Sequence, residues 1–155
     1  MVRAMQLAEL AAKHDAAADD PKLWTNVLAE VPLFASLNQR HRRKVAGVAN
    51  MRRFHDGAVL MKQGQAGDAM YVLLDGEVTV RPPGLKAFTL GVGSFVGELA
   101  LLDGGPRTAT VVARGDVLAL SIGRARFHKL LLSEPRIAVA IAEELARRLR
   151  SAQPA

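Results

Sequence analysis

The sequence predicts an α+β fold in which an antiparallel β-roll of the jelly-roll type is flanked by N-terminal helices and two C-terminal helices. Apolar positions recur at helical spacing before residue 50 and after residue 123. Between these limits, short apolar runs alternate with glycine-containing turns, which is typical of many short antiparallel strands. The chain has 155 residues, enough for one domain with its own core.

The N-terminal segment, residues 1–50, is predicted to be helical. Its first long helix is expected to end at Val31-Pro32, because the residue before a proline avoids helical backbone angles. Asn38 is expected to cap the next helix, which carries the basic run Arg40-His41-Arg42-Arg43-Lys44. We interpret this run as a solvated helix face, with a phosphate-binding or partner-binding surface as the alternative.

Residues 51–122 are predicted to form the β-roll. Glycine recurs at close intervals there and separates apolar runs that are each long enough for a short strand. The clearest turn signal is Leu74-Asp75-Gly76-Glu77, because the Asp-Gly pair suits the positive φ angles of a type I′ turn. We therefore expect a β-hairpin that turns at Asp75-Gly76.

Residues 123–150 are predicted to form a hinge and two closing helices. One helix is expected from Arg124 to Leu132, and Ser133-Glu134-Pro135 then interrupts the chain. The second helix, Pro135 to Arg150, is predicted from an isoleucine or leucine at every fourth position, which gives it one apolar stripe.

The segment Phe95–Thr110, with the sequence FVGELALLDGGPRTAT, carries the residue types that bind a small anion. Glu98 opens a short helical turn whose first free backbone N–H groups, at Leu99 and Ala100, can bind an anion. Arg107 follows a Gly-Gly-Pro reversal, and its planar guanidinium matches two phosphate oxygens. The carboxylate of Glu98 can accept a hydrogen bond from a sugar hydroxyl.

We call residues 97–110 of this segment the cassette. Three further residues of the cassette also suit a ligand. Gly97 has no Cβ where a ligand must approach the backbone, Thr108 adds a hydroxyl and an N–H group, and Ala109 is small. The structural alternative is an ion pair between Glu98 and Arg107 without a ligand. Burying both charges would be costly unless their remaining donors and acceptors are satisfied, so we expect a ligand with a phosphate and a sugar hydroxyl.

The cassette resembles the phosphate-binding cassette of the cyclic nucleotide-binding domain family, which occurs in catabolite-activator-type regulators, cyclic-nucleotide-dependent kinases and cyclic-nucleotide-gated channels. The similarity extends from about Trp24 to Arg150 and includes Val31-Pro32-Leu33-Phe34 and the strands around Gly57 and Gly76. The resemblance implies a cytoplasmic regulatory domain that binds cyclic AMP or cyclic GMP and requires no cofactor. It also implies an allosteric signal, made by repositioning the C-terminal helices.

The resemblance also implies the role of each cassette residue. Glu98 would bind the ribose 2′-hydroxyl and Arg107 the cyclic phosphate. Backbone or hydroxyl contacts would come from four others: Gly97, Leu99, Ala100 and Thr108. A threonine in the position of Thr108 favours cyclic GMP in some members and occurs in others that respond to cyclic AMP. Both ligands stay open, with cyclic AMP preferred.

Contacts with the purine are implied outside the cassette. They are Val112, Val80 and Leu90 in the β-roll, and Arg148 and Leu149 on the Pro135–Arg150 helix, which would act as a lid. Arg148 has a second interpretation, because its i,i+4 spacing from Glu144 also predicts an exposed ion pair between the two.

Other functions lack their sequence signatures. The four histidines form no H-x-H pair and there is no cysteine, so we expect no metal site and no enzyme activity. No apolar run approaches the roughly 20 residues of a transmembrane helix, and no helix-turn-helix or zinc-finger pattern accompanies the net charge of +6. An unidentified effector protein or domain is implied, and a homodimer is left open. The alternatives are a ligand-free interaction module of this fold and the regulatory domain of a channel or another multidomain protein.

Overall fold

A computed structural model describes residues 21–152. The first 20 residues of the predicted N-terminal helical segment therefore lie outside the described residues. Within residues 21–152, three helices precede the strands, one short helix lies among them and two helices follow. The elements are α1 Pro21–Leu28, α2 Pro32–Ala35, α3 Gln39–Ala46, β1 Ala49–Phe54, β2 Val59–Met61, β3 Ala69–Arg81, β4 Phe88–Leu90, β5 Phe95–Val96, α4 Glu98–Asp103, β6 Thr110–Gly123, α5 Arg124–Ser133 and α6 Pro135–Ala152.

The six strands form one antiparallel sheet with the order β1-β6-β3-β4. β3 and β6 are long and pair with each other from Ala69↔Gly123 to Arg81↔Thr110. β1 and β2 both pair with β6, whereas β4 and β5 both pair with β3. Each of the two long strands thus pairs with three other strands of the sheet. The predicted α+β fold with an antiparallel β-roll is confirmed.

The predicted hairpin at Asp75-Gly76 is wrong, because both residues lie inside β3. The register between β3 and β6 shifts on either side of Asp75. Gly76 has a φ of 87°, and a Cβ at this position would lie 2.3 Å from the carbonyl oxygen of Asp116. The Asp-Gly pair therefore marks a β-bulge that bends a long strand, and such a bulge needs left-handed backbone angles as much as a tight turn does.

Alternate residues of β3 pack into two different cores, as expected for side chains that point to opposite faces of a sheet. Met70 and Val72 pack with the buried side chains of the helices. Tyr71 and Leu73 pack with the side chains that fill the roll. In the helical core, the ring of Phe34 meets that of Phe127 edge to face at 5.8 Å. Helices from both ends of the chain are thereby joined in one core.

The helix boundaries differ in detail from those predicted. α1 ends at Leu28 rather than at Val31-Pro32, and Pro32 instead begins α2. The N–H group of the first residue of a helix makes no helical hydrogen bond, so a proline, which lacks this group, is tolerated there. The side chain of Asn38 accepts a hydrogen bond of 2.8 Å from the backbone N–H of His41, as the predicted cap requires. Of the helices within residues 21–152, none combines the length and the apolar character needed to cross a membrane.

We predict that Gly76→Ala lowers the free energy of unfolding by about 1–3 kcal/mol, because the alanine must adopt a left-handed φ against the backbone of β6. Urea denaturation measures this change. Gly91→Ala is the matched control, since its φ is not positive and its Cβ would meet nothing within 4 Å. Equal stability of Gly76→Ala and the wild type would contradict the assignment of a strained bulge.

Candidate functional site

A pocket of about 430 Å³ lies beside α4 and the loop that joins α4 to β6. Six of the seven predicted cassette residues line it: Gly97, Glu98, Leu99, Ala100, Arg107 and Thr108. The seventh, Ala109, is instead buried in the core of the roll. Met61 of β2 lines the pocket as well, so one strand of the roll forms a wall of the site.

Two glycines fix the ends of α4. Gly97 precedes the helix with a φ of 81°, and Gly104 follows it with a φ of 66°. The N–H of Gly104 donates to the carbonyl of Ala100 at 2.8 Å and so closes the helix. A Cβ at Gly97 would lie 2.6 Å from Nη1 of Arg107 and 3.0 Å from the carbonyl oxygen of Ala69. Glycine is therefore needed for α4 to begin directly beside the guanidinium.

The backbone on both sides of Arg107 is fixed by the loop between β2 and β3. The N–H of Arg107 donates to the carbonyl of Gln65 at 2.8 Å, and its own carbonyl accepts from the N–H of Gly64 at 2.9 Å. The N–H of Gly67 donates to the carbonyl of Gly105 at 2.9 Å. These bonds hold the cassette loop against the roll.

The side chain of Arg107 is buried, with 4% of its surface exposed. Its Nη2 donates to the carbonyl of Ala69 at 2.6 Å and lies 3.6 Å from Oδ1 of Asp68. Its Nη1 is buried and has no hydrogen-bond partner among residues 21–152. Because arginine stays protonated in proteins, the pocket wall presents a positive charge with unused donors.

The carboxylate of Glu98 is also only half satisfied. Its Oε1 accepts a hydrogen bond from Nη1 of Arg148 at 3.2 Å, whereas Oε2 is buried without a partner in the described part of the chain. Across these same residues no ion pair joins Glu98 to Arg107, because Arg107 pairs with Asp68 instead. The ligand-free ion pair considered from the sequence is therefore not formed.

The C-terminal helix α6 reaches the cassette through Arg148. The side chain of Arg148 is 31% exposed, and its Nε lies 3.6 Å from Oε1 of Glu144. The predicted pairing with Glu144 is thus present, but Arg148 contacts Glu98 as well and is not fully exposed. Leu149, the other predicted lid residue, is 64% exposed.

The side chains predicted to contact the purine from the β-roll do not line this pocket. Val80 is buried in the core of the roll, and Leu90 packs against the same core. Val112 is half-buried on β6, opposite Val59 of β2. None of the three is among the residues that line the pocket, and their role stays a prediction.

Sequence reasoning missed the residues that hold Arg107. Asp68 and Ala69 lie 38 or more positions before it in the chain, and Ala69 acts through its carbonyl group, which any residue type could supply. Met61 was also missed as a pocket residue, because an apolar residue in a strand predicts only a core position. The Gly67-Asp68 pair between two strands was visible, but a single sequence offers no signal that joins it to the cassette.

The junction between α5 and α6, where a hinge was predicted, lies at Glu134, since α5 ends at Ser133 and α6 begins at Pro135. Oε1 of Glu134 forms an ion pair of 2.7 Å with Nζ of Lys44 on α3. The hydrogen bond from Lys44 holds the pKa of Glu134 below its ordinary value, and the positive charges of Lys44 and Arg40 act in the same direction. The basic run of α3 therefore in part contacts the junction between α5 and α6 and is not wholly a solvated face.

The profile of the cyclic nucleotide-binding domain family matches residues 51–134. The chain belongs to this family. It is 34% identical over 110 residues to a cAMP-dependent protein kinase regulatory subunit of Hypocrea atroviridis. It is 38% identical over 115 residues to a cyclic nucleotide-gated potassium channel of Rhizobium etli. These alignments cover 71% and 74% of this chain but only 24% and 32% of the two relatives, so the chain spans a quarter to a third of their length.

Solved structures agree with this assignment. The N-terminal domain of a transcriptional regulator from Streptomyces coelicolor A3(2) matches with a TM-score of 0.71 and 33% identity, over 81% of this chain and 93% of that one. The regulatory domain of Toxoplasma gondii PKA, crystallised with cAMP, matches with a TM-score of 0.66 and 26% identity, over 88% of this chain and 52% of that one. The family predicted from the cassette is confirmed.

We predict that Glu134 titrates below its ordinary pKa of 4.5 and that Lys44→Met raises its midpoint toward that value. Because the pKa is lowered by folding, the stability contributed by the pair is present above the ordinary pKa and is lost as the pH falls through the lowered one. An NMR titration of the Glu134 carboxyl carbon measures both midpoints. Lys86→Met, at an exposed residue, is the control. A wild-type midpoint at 4.5 or above would contradict the pairing.

Proposed function

We propose that this chain is a sensor domain that binds a 3′,5′-cyclic nucleotide, with cyclic AMP preferred, and that the bound ligand repositions its C-terminal helices. One observation carries the proposal. A guanidinium and a carboxylate line the same pocket, and each has one buried polar atom without a partner among residues 21–152: Nη1 of Arg107 and Oε2 of Glu98. A ligand with an anionic group and a hydroxyl group would satisfy both atoms.

The charges at the site favour a singly charged phosphodiester. Leaving a buried donor or acceptor without a partner costs about 1–3 kcal/mol, and more when the group is charged. The Asp68 carboxylate neutralises Arg107 only weakly, because it lies 3.6 Å from Nη2 and its side chain is 91% exposed. A cyclic phosphate would supply one negative charge and a charge-assisted hydrogen bond to Nη1. The unused Oε2 of Glu98 would accept the hydrogen bond of a ribose hydroxyl.

Two findings support cyclic AMP over cyclic GMP. The kinase relatives are named as cAMP-dependent, and the Toxoplasma gondii domain was crystallised with cAMP. Thr108 keeps cyclic GMP as the second candidate, because it lines the pocket with an exposed hydroxyl that could contact the base. Since cyclic nucleotides are made inside cells, the proposed location is the cytoplasm.

The proposed signal is a shift between two positions of α5 and α6. A ligand can move this equilibrium only by its difference in affinity for the two positions. Glu98 is bonded to α6 through Arg148, so a group that binds Glu98 also acts on the helix. The ion pair with Lys44 holds the hinge residue Glu134 to α3, so α6 would move relative to a point that stays in place. An effector protein or domain would bind the C-terminal helices in one of their two positions and so respond to the ligand.

We predict that Arg107→Ala weakens the binding of cyclic AMP and cyclic GMP by about 2–5 kcal/mol, because it removes the charged partner of a buried phosphate. Isothermal titration calorimetry measures this loss, and thermal unfolding confirms that the variant is folded. Arg114→Ala removes an exposed arginine of β6 and is the matched control. Arg107→Lys keeps the charge without the planar fork and should lie between the two. Unchanged affinity in Arg107→Ala would reject the pocket as the binding site.

We predict that Gly97→Ala weakens cyclic AMP binding about tenfold or more, because the new methyl group would crowd Nη1 of Arg107, the atom proposed to bind the phosphate. Gly93→Ala is a close control, since both glycines have positive φ but a Cβ at Gly93 would meet nothing within 4 Å. Both variants should therefore lose some stability, and only Gly97→Ala should lose affinity. Equal affinities in a titration of the two folded variants would contradict the assignment of Nη1.

A further inference from the structure

The basic run of α3 contains an arginine whose charge has no partner in the described part of the chain. Lys44 forms the ion pair with Glu134. Arg42 donates a hydrogen bond to the carbonyl of Leu37, which lies just before the helix. Arg43, between them, is exposed, and its side chain makes no hydrogen bond or ion pair within residues 21–152. The structure thus explains part of the run and leaves a partner-binding surface open at Arg43.

Arg43 lines a groove of about 560 Å³ between α1 and α3, which we call the α1–α3 groove. The apolar sides of the two helices pack in the helical core, and their polar sides form the groove. Its described lining residues are Pro21, Lys22, Thr25, Asn26, Gln39 and Arg43. Each helix therefore contributes one cation and one amide, four positions apart, and this spacing places both side chains on the same face of the helix.

The α1–α3 groove combines positive charge with neutral hydrogen-bonding groups. Its described lining includes a lysine and an arginine and no acidic residue. The side chains of Asn26 and Gln39 make no hydrogen bond within residues 21–152. Each amide carries one acceptor oxygen and an NH₂ donor, so it can bond to either the N–H or the C=O of a peptide group. The volume of the groove lies in the range of ligand sites, about 300–1,000 Å³.

These features fit an acidic peptide better than other polyanions. Nucleic acids bind along rows of lysine and arginine, and single strands also stack their bases on aromatic side chains. The described lining has two cations and no aromatic residue. Anionic membranes attract clusters of about four to eight cations, and a flat surface cannot enter a groove between two helices. A peptide has carboxylates for the two cations and backbone groups for the two amides.

We propose that the α1–α3 groove binds an acidic peptide segment of a partner protein. Carboxylates of the segment would pair with Lys22 and Arg43, and its backbone would bond to the amides of Asn26 and Gln39. Arg43 is the neighbour of Lys44, which contacts the junction between α5 and α6, so the partner would bind the helix that holds this junction. The groove shares no described lining residue with the nucleotide pocket, so the inference adds a partner without depending on nucleotide binding.

The test uses the full chain and a capped octapeptide of alternating aspartate and glutamate as the probe. In an NMR titration, we expect the side-chain amide signals of Asn26 and Gln39 to shift. Arg43→Gln and Gln39→Leu should each weaken binding about threefold, the first by loss of an exposed ion pair and the second by loss of a hydrogen bond. Arg114→Gln is the matched control, because it makes the same charge change at an exposed residue of β6 and should leave the affinity unchanged.

The outcomes separate a specific groove from general attraction to a basic protein. Equal weakening by Arg43→Gln and Arg114→Gln, or unshifted signals of Asn26 and Gln39, would overturn the inference. Tighter binding of a uridine octanucleotide or of phosphatidylglycerol vesicles at the same residues would overturn it in favour of another partner class. Cyclic AMP, titrated by calorimetry, should bind Arg43→Gln and the wild type equally. A wild type that binds the peptide in the groove but not cyclic AMP would overturn only the proposed function.

Discussion

The burial of a half-satisfied arginine is the constraint on which the site depends. Nη2 of Arg107 is fixed at 2.6 Å from the carbonyl of Ala69, while Nη1 has no partner within the described chain. Glycines make room for the guanidinium on two sides, since a Cβ would lie 2.6 Å from Nη1 at Gly97 and 3.1 Å from it at Gly67. A buried charge left in this state is unfavourable, which supports the proposal that the cassette binds an anion.

The contacts around this arginine continue into the C-terminal helices. Asp68 lies beside Arg107, and its backbone carbonyl accepts a hydrogen bond of 2.7 Å from the N–H of Arg124, the first residue of α5. On the other side of the pocket, Glu98 is bonded to Arg148 of α6. The residues around the pocket thus contact both C-terminal helices, α5 through Asp68 and α6 through Glu98. A charge placed between Arg107 and Glu98 would act on both helices at once, which supports the proposed shift of these helices.

The parts of the site that could be predicted are those in which the functional side chains lie close together in the sequence. Glu98 and Arg107 stand in one short segment with its glycines, so their chemistry and spacing are visible in the sequence. The support of Arg107 could not be predicted, because it comes from the carbonyl of Ala69, and a carbonyl is common to all residues. The bond from Arg148 to Glu98 spans 50 positions and depends on where α6 lies on the roll. The β-roll itself was predictable, but the bulge at Gly76 was mistaken for a turn because both require the same backbone angles.

A crystal structure of the chain with cyclic AMP would show whether the phosphate binds Arg107. We expect a phosphate oxygen within about 3.2 Å of Nη1 of Arg107, which is hydrogen-bonding distance. We also expect Nη2 to keep its hydrogen bond to the carbonyl of Ala69. A complex in which the phosphate binds elsewhere, while Nη1 of Arg107 bonds only to water or to a protein side chain, would contradict this account of the site.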